Sequence, residues 1–303
     1  MSNMIEISSV FIFLEFRLLF LQQVKIAINT RFLLPNKMEG FGWYTFETVK
    51  RLVKSHPEHE FYFFFDRKYD DKFIFESNVT PVVLNPPARH PVLFKIWFNR
   101  SVTKALKKHH IDAFISPDGY VSLKTDIPQL AVIHDLNFEH YPEDIPSSAR
   151  KYLREFFPKF AKKAERILTV SEYSKKDIVD TYRIEPSKID VAYNGVAPFF
   201  GPISLEAMQE VKDELCNGED YFVFVGSLHP RKNLARLLKA FDDFKRILKS
   251  KMKLVIVGES LWGNSFGQEL MGSVNYKSDI VFTGHVGSEK LHQVVASAYA
   301  MTF

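Results

Sequence analysis

The stretch YFVFVGSLHPRKNLARLLKAF, Tyr221–Phe241, decides the fold. It opens on an unbroken apolar run that ends at Gly226, the pattern of a strand covered on both faces. From Asn233 onward, Leu234, Leu237, Leu238 and Phe241 recur at helical spacing. A buried strand, a short loop and an amphipathic helix make the repeating unit of a parallel α/β sheet. Arg231 and Lys232 stand at the head of that helix, where the helix dipole disfavours cations. A bound phosphate would neutralise them, whereas a solvated charge pair would need no ligand. The spacing leaves both readings open.

The same grammar continues on either side. Towards the C-terminus, KLVIVGE (Lys253–Glu259) and DIVFTG (Asp279–Gly284) read as strands, and Glu289–Ala298 begins a helix, so this half shows three strands. Towards the N-terminus, strands are expected at VKIAIN (Val24–Asn29), FYFFFD (Phe61–Asp66), PVVLN (Pro81–Asn85), DAFISPD (Asp112–Asp118), QLAVIHD (Gln129–Asp135), ERILTVS (Glu165–Ser171) and KIDVAYNG (Lys188–Gly195). Helical spacing falls between them at Trp43–Ser55, Phe94–His109 and Ser147–Lys163. Strands alternating with helices imply right-handed crossovers and two parallel sheets. The boundaries expected are an N-terminal extension over 1–23, one Rossmann-like domain over 24–197 and a second over 198–303.

Composition fits that architecture. Of 303 residues, 46% are hydrophobic and 25% charged, as in an ordinary globular protein, and 29 are Phe. The single Cys216 excludes an internal disulfide framework and fits a reducing cytoplasm. Forty basic against 36 acidic residues give a net charge of +4, with no concentrated patch of the kind nucleic acid requires. The apolar run Val10–Leu21 carries Glu15 and Arg17 and is too short to span a bilayer. It reads as a surface-lying amphipathic helix, a short packing helix or, by preference, a start codon placed upstream of the true one.

Open parallel sheets bind ligands beyond the carboxyl ends of their strands, so residues just after strands are the candidates. The loop NKMEGFGWYTFET (Asn36–Thr48) follows the first strand and feeds a helix. Gly40 and Gly42 there allow close approach of a ligand, or serve as two turn glycines. The loop lacks GxGxxG spacing. His134 ends the strand AVIHD, where a neutral imidazole can hydrogen-bond a sugar hydroxyl or stabilise charge; a satisfied structural histidine reads the same way. No second His or carboxylate falls at ligand spacing, so no metal is expected. Backbone around His285 and Val286, after another strand, lies where a nucleotide base would be met.

Together the segments EGFGWYTFET, AVIHDLNFEHYPE, ILTVSEYSKKDI, VAYNGV, FVFVGSLHPRKNLARLLKAF, LVIVGE and VFTGHVGSEKLHQVVASA resemble the retaining glycosyltransferases of family 4, over about Val24 to Phe303. That resemblance implies a GT-B fold, two Rossmann-like parallel-sheet domains facing a cleft. It also implies a nucleoside-diphosphate sugar donor and a saccharide or lipid-linked acceptor, with no cofactor and no metal. It assigns Gly40 and Gly42 to the donor phosphates and acceptor, His134 to the transferred sugar, Gly226, Arg231 and Lys232 to the diphosphate, and His285 with Val286 to the base. The implied setting is cytoplasmic, with peripheral contact at the inner membrane face, and surface polysaccharide synthesis is the expected context.

Two departures accompany the resemblance. Ser227 follows Gly226 where many relatives carry Arg, a role Arg231 is expected to take. The family's paired-glutamate motif does not occur before Phe303, so the second domain is expected to be incomplete. The alternative expectation is a truncated, non-catalytic nucleotide-sugar-binding or partner module. An unrelated Rossmann oxidoreductase lacks its fingerprint here, and a nucleotide-sugar epimerase of the same fold would act without an acceptor.

Overall fold

The computed structural model describes residues 23–35, 38–197, 199–229, 232–259, 271–272 and 274–303. The expected N-terminal extension, but for Gln23, and the candidate residue Arg231 lie outside the described residues. The chain divides into two compact units, one ending at Asn194 and the other running Gly195–Phe303.

The first unit is built on seven strands: β1 (Lys25–Asn29), β2 (Glu60–Phe65), β3 (Val79–Val83), β4 (Ala113–Ser116), β5 (Gln129–Val132), β6 (Arg166–Thr169) and β7 (Ile189–Val191). They pair in parallel in the order β3-β2-β1-β4-β5-β6-β7. The Phe-rich β2 shows why. Its alternate residues Phe61, Phe63 and Phe65 pack into one apolar cluster with Ile26, Ile28 and Val49, while Tyr62 and Phe64 pack into another with Trp97 and Phe98. A strand covered on both faces needs apolar residues at every position, and the period of two distributes them between the layers. The helices on these faces are α1 (Gly40–Ser55), α2 (Pro91–Ile96), α3 (Thr103–Lys108), α4 (Ser147–Lys163) and α5 (Glu172–Tyr182). A π-helical stretch, Trp97–Val102, joins α2 to α3, so the single helix expected over Phe94–His109 is one helical run with a wider middle. Helix α1 starts three residues before the expected Trp43, inside the glycine loop.

The second unit carries β8 (Tyr221–Val225), β9 (Lys253–Val257), β10 (Ile280–Gly284) and β11 (Ala300–Met301), with helices α6 (Leu205–Cys216), α7 (Leu234–Leu248) and α8 (Ser288–Ala296). The order is β10-β9-β8-β11, again all parallel. The fourth strand corrects the sequence expectation of three. Ala300 and Met301 pair with Phe222 and Val223, but a two-residue strand with both side chains exposed has no period to read. Phe224 joins Leu234, Leu238 and Phe241 of α7 on one face, and Tyr221 and Val223 join Val211, Cys216 and Val294 on the other. Cys216 is a free, buried thiol whose pKa burial pushes up to about 11, so it serves as a small core residue.

In each sheet the winding reverses once, between β1 and β4 in the first unit and between β8 and β11 in the second. Those reversals open crevices at the carboxyl ends of the strands. Among the described residues no helix is long and apolar enough to cross a membrane.

Candidate active site

The first crevice gathers residues from the ends of β1, β4 and β5. His134 follows β5, and its Nε2 lies 2.8 Å from the carbonyl oxygen of Pro117. A carbonyl only accepts, so Nε2 carries the proton. Burial lowers the His134 pKa, while the Pro117 carbonyl, Asp135 and Asp118 act against that shift; the imidazole is therefore neutral at physiological pH. Its Nδ1 lone pair has no hydrogen-bond partner among the described residues and is available to a ligand hydroxyl. The ring is clamped edge-on by Phe41, 4.9 Å away, and Tyr44, 4.6 Å away. Burial pushes the Tyr44 hydroxyl up to about 12, against a hydrogen bond to Thr48, so it adds no negative charge. The backbone on either side is pinned as well: Thr169 Oγ1 donates to the Ile133 carbonyl and Ser174 Oγ to that of His134.

The two glycines of the loop differ. An ideal Cβ on Gly42 would lie 2.8 Å from the Phe32 carbonyl oxygen, so α1 packs against the end of the β1 loop only with glycine there. At Gly40 nothing lies within 4 Å, and the position opens on free space. Gly40 is the first residue of α1, and Glu39 supplies no side-chain cap to the first backbone N–H groups of the helix.

The sequence reading missed the polar floor of this crevice. The Asp118 carboxylate accepts from Asn29 Nδ2 at 2.9 Å, Ser116 Oγ at 2.9 Å and Arg31 Nε at 2.7 Å. Arg31 and Asp118 have side chains only 4% and 3% exposed. The guanidinium is ringed by Phe32, Phe94, Phe98 and Tyr120, with ring centroids 4.5–5.4 Å from its carbon. Each of these residues follows a strand or lines a helix face, but the pairing across 87 positions leaves no local signal.

In the second unit, Gly226 follows β8 directly and its amide donates to the Val257 carbonyl at 3.0 Å. The aliphatic end of Lys232 lies 3.9 Å from where a Gly226 Cβ would be. Its Nζ sits 4.2 Å over the ring of Phe303, beyond β11, which places Lys232 at the β8/β11 reversal. Helix α7 begins two residues later behind Asn233, which supplies no side-chain cap, and its leading N–H groups face the same end of the sheet. His285 and Val286 follow β10, the edge strand; His285 is exposed, while Val286 packs against the α6–α8 side. Gly258, after β9, went unassigned in the sequence. Its φ is +139°, and a Cβ there would fall on the Gly226 carbonyl oxygen. The β8 and β9 ends can approach this closely only because residue 258 is glycine.

A further cavity of about 330 Å³ lies at the opposite, amino end of the second sheet, against Lys245, Lys253 and Asp279. Asp279 pairs there with Lys253 and, at 2.7 Å, with the buried Lys245. This is a structural ion cluster remote from the carboxyl ends of the strands.

Two parallel α/β units of this topology define the GT-B fold. The signature of Glycosyltransferase Family 4 matches residues 38–198, more than half of the chain, and that of Glycosyl transferases group 1 matches 208–303. The chain belongs to Glycosyltransferase Family 4. It is 21% identical over 277 residues to the O-antigen chain mannosyltransferase B of Escherichia coli, covering 88% of this chain and 72% of that one. To the O-antigen chain mannosyltransferase RfbU of Salmonella typhimurium it is 26% identical over 176 residues, 58% of this chain and under half, 45%, of the relative. The crystal structure of the lipopolysaccharide glycosyltransferase WaaG superposes with a TM-score of 0.68 at 14% identity, covering 91% of this chain and 74% of that one. Anabaena Alr3699/HepE in complex with UDP-glucose superposes with a TM-score of 0.66 at 15% identity, covering 92% and 73%.

Proposed function

We propose that this protein transfers a hexose, mannose by preference, from a nucleoside-diphosphate sugar to a saccharide or lipid-linked acceptor during surface-polysaccharide synthesis, with retention of configuration. Membership of the family makes it a glycosyltransferase; the two O-antigen mannosyltransferase relatives support the sugar and the context. In this reading the second unit holds the donor. Gly226 lets the diphosphate approach the end of β8, Lys232 and Arg231 offset its charge together with the leading amides of α7, and the backbone of His285 and Val286 meets the base. The first unit supplies Gly40, Gly42 and His134. Its place of action is the cytoplasm, at the inner face of the membrane.

The chemistry needs no protein nucleophile. As the bond between the anomeric carbon and the leaving phosphate oxygen breaks, the acceptor oxygen bonds to that carbon on the same face. The acceptor proton passes to the departing diphosphate. Neutral His134, with its proton fixed on Nε2, offers Nδ1 as an acceptor for a hydroxyl of the transferred sugar; an imidazolium could not. The single observation that carries this role is the Nε2 contact to Pro117. The test is product analysis by NMR with a panel of nucleotide sugars and saccharide acceptors. An α-linked product from an α-linked donor supports retention, and an inverted product refutes it. Conversion of the donor without any acceptor would mark an epimerase instead.

A further inference from the structure

A second cavity, of about 320 Å³, lies wholly within the first unit, and Arg31, Phe32, Arg67, Arg89, Phe94 and Tyr120 carry its character. It is large enough for a small ligand, at the lower end of the usual range. No aspartate or glutamate lines it. Its charges do not balance. Arg31 is taken by Asp118. Arg67 is held by Asp66, through Nε at 2.6 Å and Nη2 at 2.8 Å, and Asp66 is fully buried. This grip leaves the Nη1 protons of Arg67 without a partner among the described residues, on a side chain 32% exposed. The same Asp66 carboxylate accepts from the Ala88 amide at 2.9 Å, which ties down the segment carrying Arg89. Arg89 is exposed and has no carboxylate partner among the described residues. Two guanidinium groups therefore converge on the cavity, one fixed in place and one with its charge unanswered. Such a fork favours phosphate or carboxylate.

The cavity is also next to the proposed reaction centre. The His134 ring touches Phe41, the Phe41 ring stacks on Phe32 at 5.5 Å, and Phe32 lines the cavity. We infer that this cavity is the acceptor subsite and that the acceptor is an anionic saccharide, its phosphate or carboxylate held by Arg67 and Arg89. This rests on the transferase reading above and adds the acceptor's chemical class to it. The anion has two sources of equal chemistry: the diphosphate of a lipid-linked saccharide, or a phosphate or uronate within the saccharide itself.

The experiment is calorimetric titration of the full chain with a hexose 1-phosphate, a hexuronate, a neutral methyl hexoside and a short-chain polyprenyl diphosphate in detergent. Anionic sugars are expected to bind at least about tenfold more tightly than the neutral one, since a charge-assisted hydrogen bond is worth that much. Arg89→Gln, an exposed change that leaves Asp66 and the core untouched, is expected to weaken them by about the same factor while leaving nucleoside-diphosphate binding unchanged. Arg67→Lys keeps a cation beside Asp66 but loses the fork, and is expected to weaken the anionic sugars as well. Competition between polyprenyl diphosphate and hexose 1-phosphate assigns the anion to the lipid linkage; its absence assigns it to the saccharide. Equal affinity for neutral and anionic sugars, or Arg89→Gln behaving as wild type, overturns the inference. If nucleoside diphosphates still bind in that case, the transferase reading stands; if they do not bind either, both fall.

Discussion

Substituting Asp118→Asn is expected to unsettle the first unit more than any other single change of similar size. The new amide keeps an acceptor for Asn29 and Ser116, so those contacts, each worth about 1 kcal/mol, are largely retained. What is lost is the charge opposite Arg31. That guanidinium is 4% exposed and caged by four aromatic rings, so water cannot replace the carboxylate. Breaking a buried pair by removing one partner costs about 3–5 kcal/mol. Against a domain stability of about 5–15 kcal/mol, that is a large fraction. Urea unfolding followed by tryptophan fluorescence measures it, because Trp97 is fully buried in this unit with its indole N–H on the Leu84 carbonyl. Adding Arg31→Met to Asp118→Asn places an apolar chain in the same aromatic cage and is expected to recover more than half of the loss. A single-variant loss below about 1 kcal/mol, or a double variant no better than the single, would refute the reasoning.

Three further outcomes are expected. Gly42→Ala forces a shift against the Phe32 carbonyl and lowers stability by about 1–3 kcal/mol, whereas Gly40→Ala leaves the melting temperature unchanged; equal melting temperatures for the two variants would contradict the packing argument. Gly258→Ala combines a disfavoured φ with a collision on Gly226 and is expected to destabilise the second unit and weaken nucleotide binding together, read by thermal shift with and without nucleotide. His134 is held neutral, its pKa lowered chiefly by burial from the ordinary 6.5. The unfolded chain therefore takes up a proton before the folded one does. Stability falls as pH drops below 6.5, and His134→Gln should flatten the melting-temperature profile on that acidic side. An unchanged slope would place the His134 titration elsewhere.

The sheets were legible in the sequence because burial on both faces demands continuous apolar runs. FYFFFD and KLVIVGE have no other simple reading, and the structure places β2 over the first, one residue earlier, and β9 within the second. Strand-end residues such as His134, Gly226 and Lys232 were legible for a related reason, since a parallel sheet fixes which end of each strand faces the crevice. What stayed hidden was whatever depends on distant pairing. Arg31 and Asp118 meet only because β1 and β4 are neighbours at the sheet reversal. The requirement for glycine at 258 comes from β8, a different strand. Strand β11 is too short to carry a period, and its existence depends on β8 offering a free edge. The glycine loop was read as one feature, yet Gly42 meets a backbone carbonyl and Gly40 meets open space.

Donor binding in the second unit is the central proposal. Titrating the full chain with GDP and UDP by calorimetry, alongside Lys232→Ala, tests it. The prediction is saturable one-to-one binding of at least one of the two, weakened about tenfold or more when the lysine is removed. Failure of both nucleotides to bind, or binding indifferent to Lys232→Ala, would contradict the assignment of the β8/β11 reversal as the donor site.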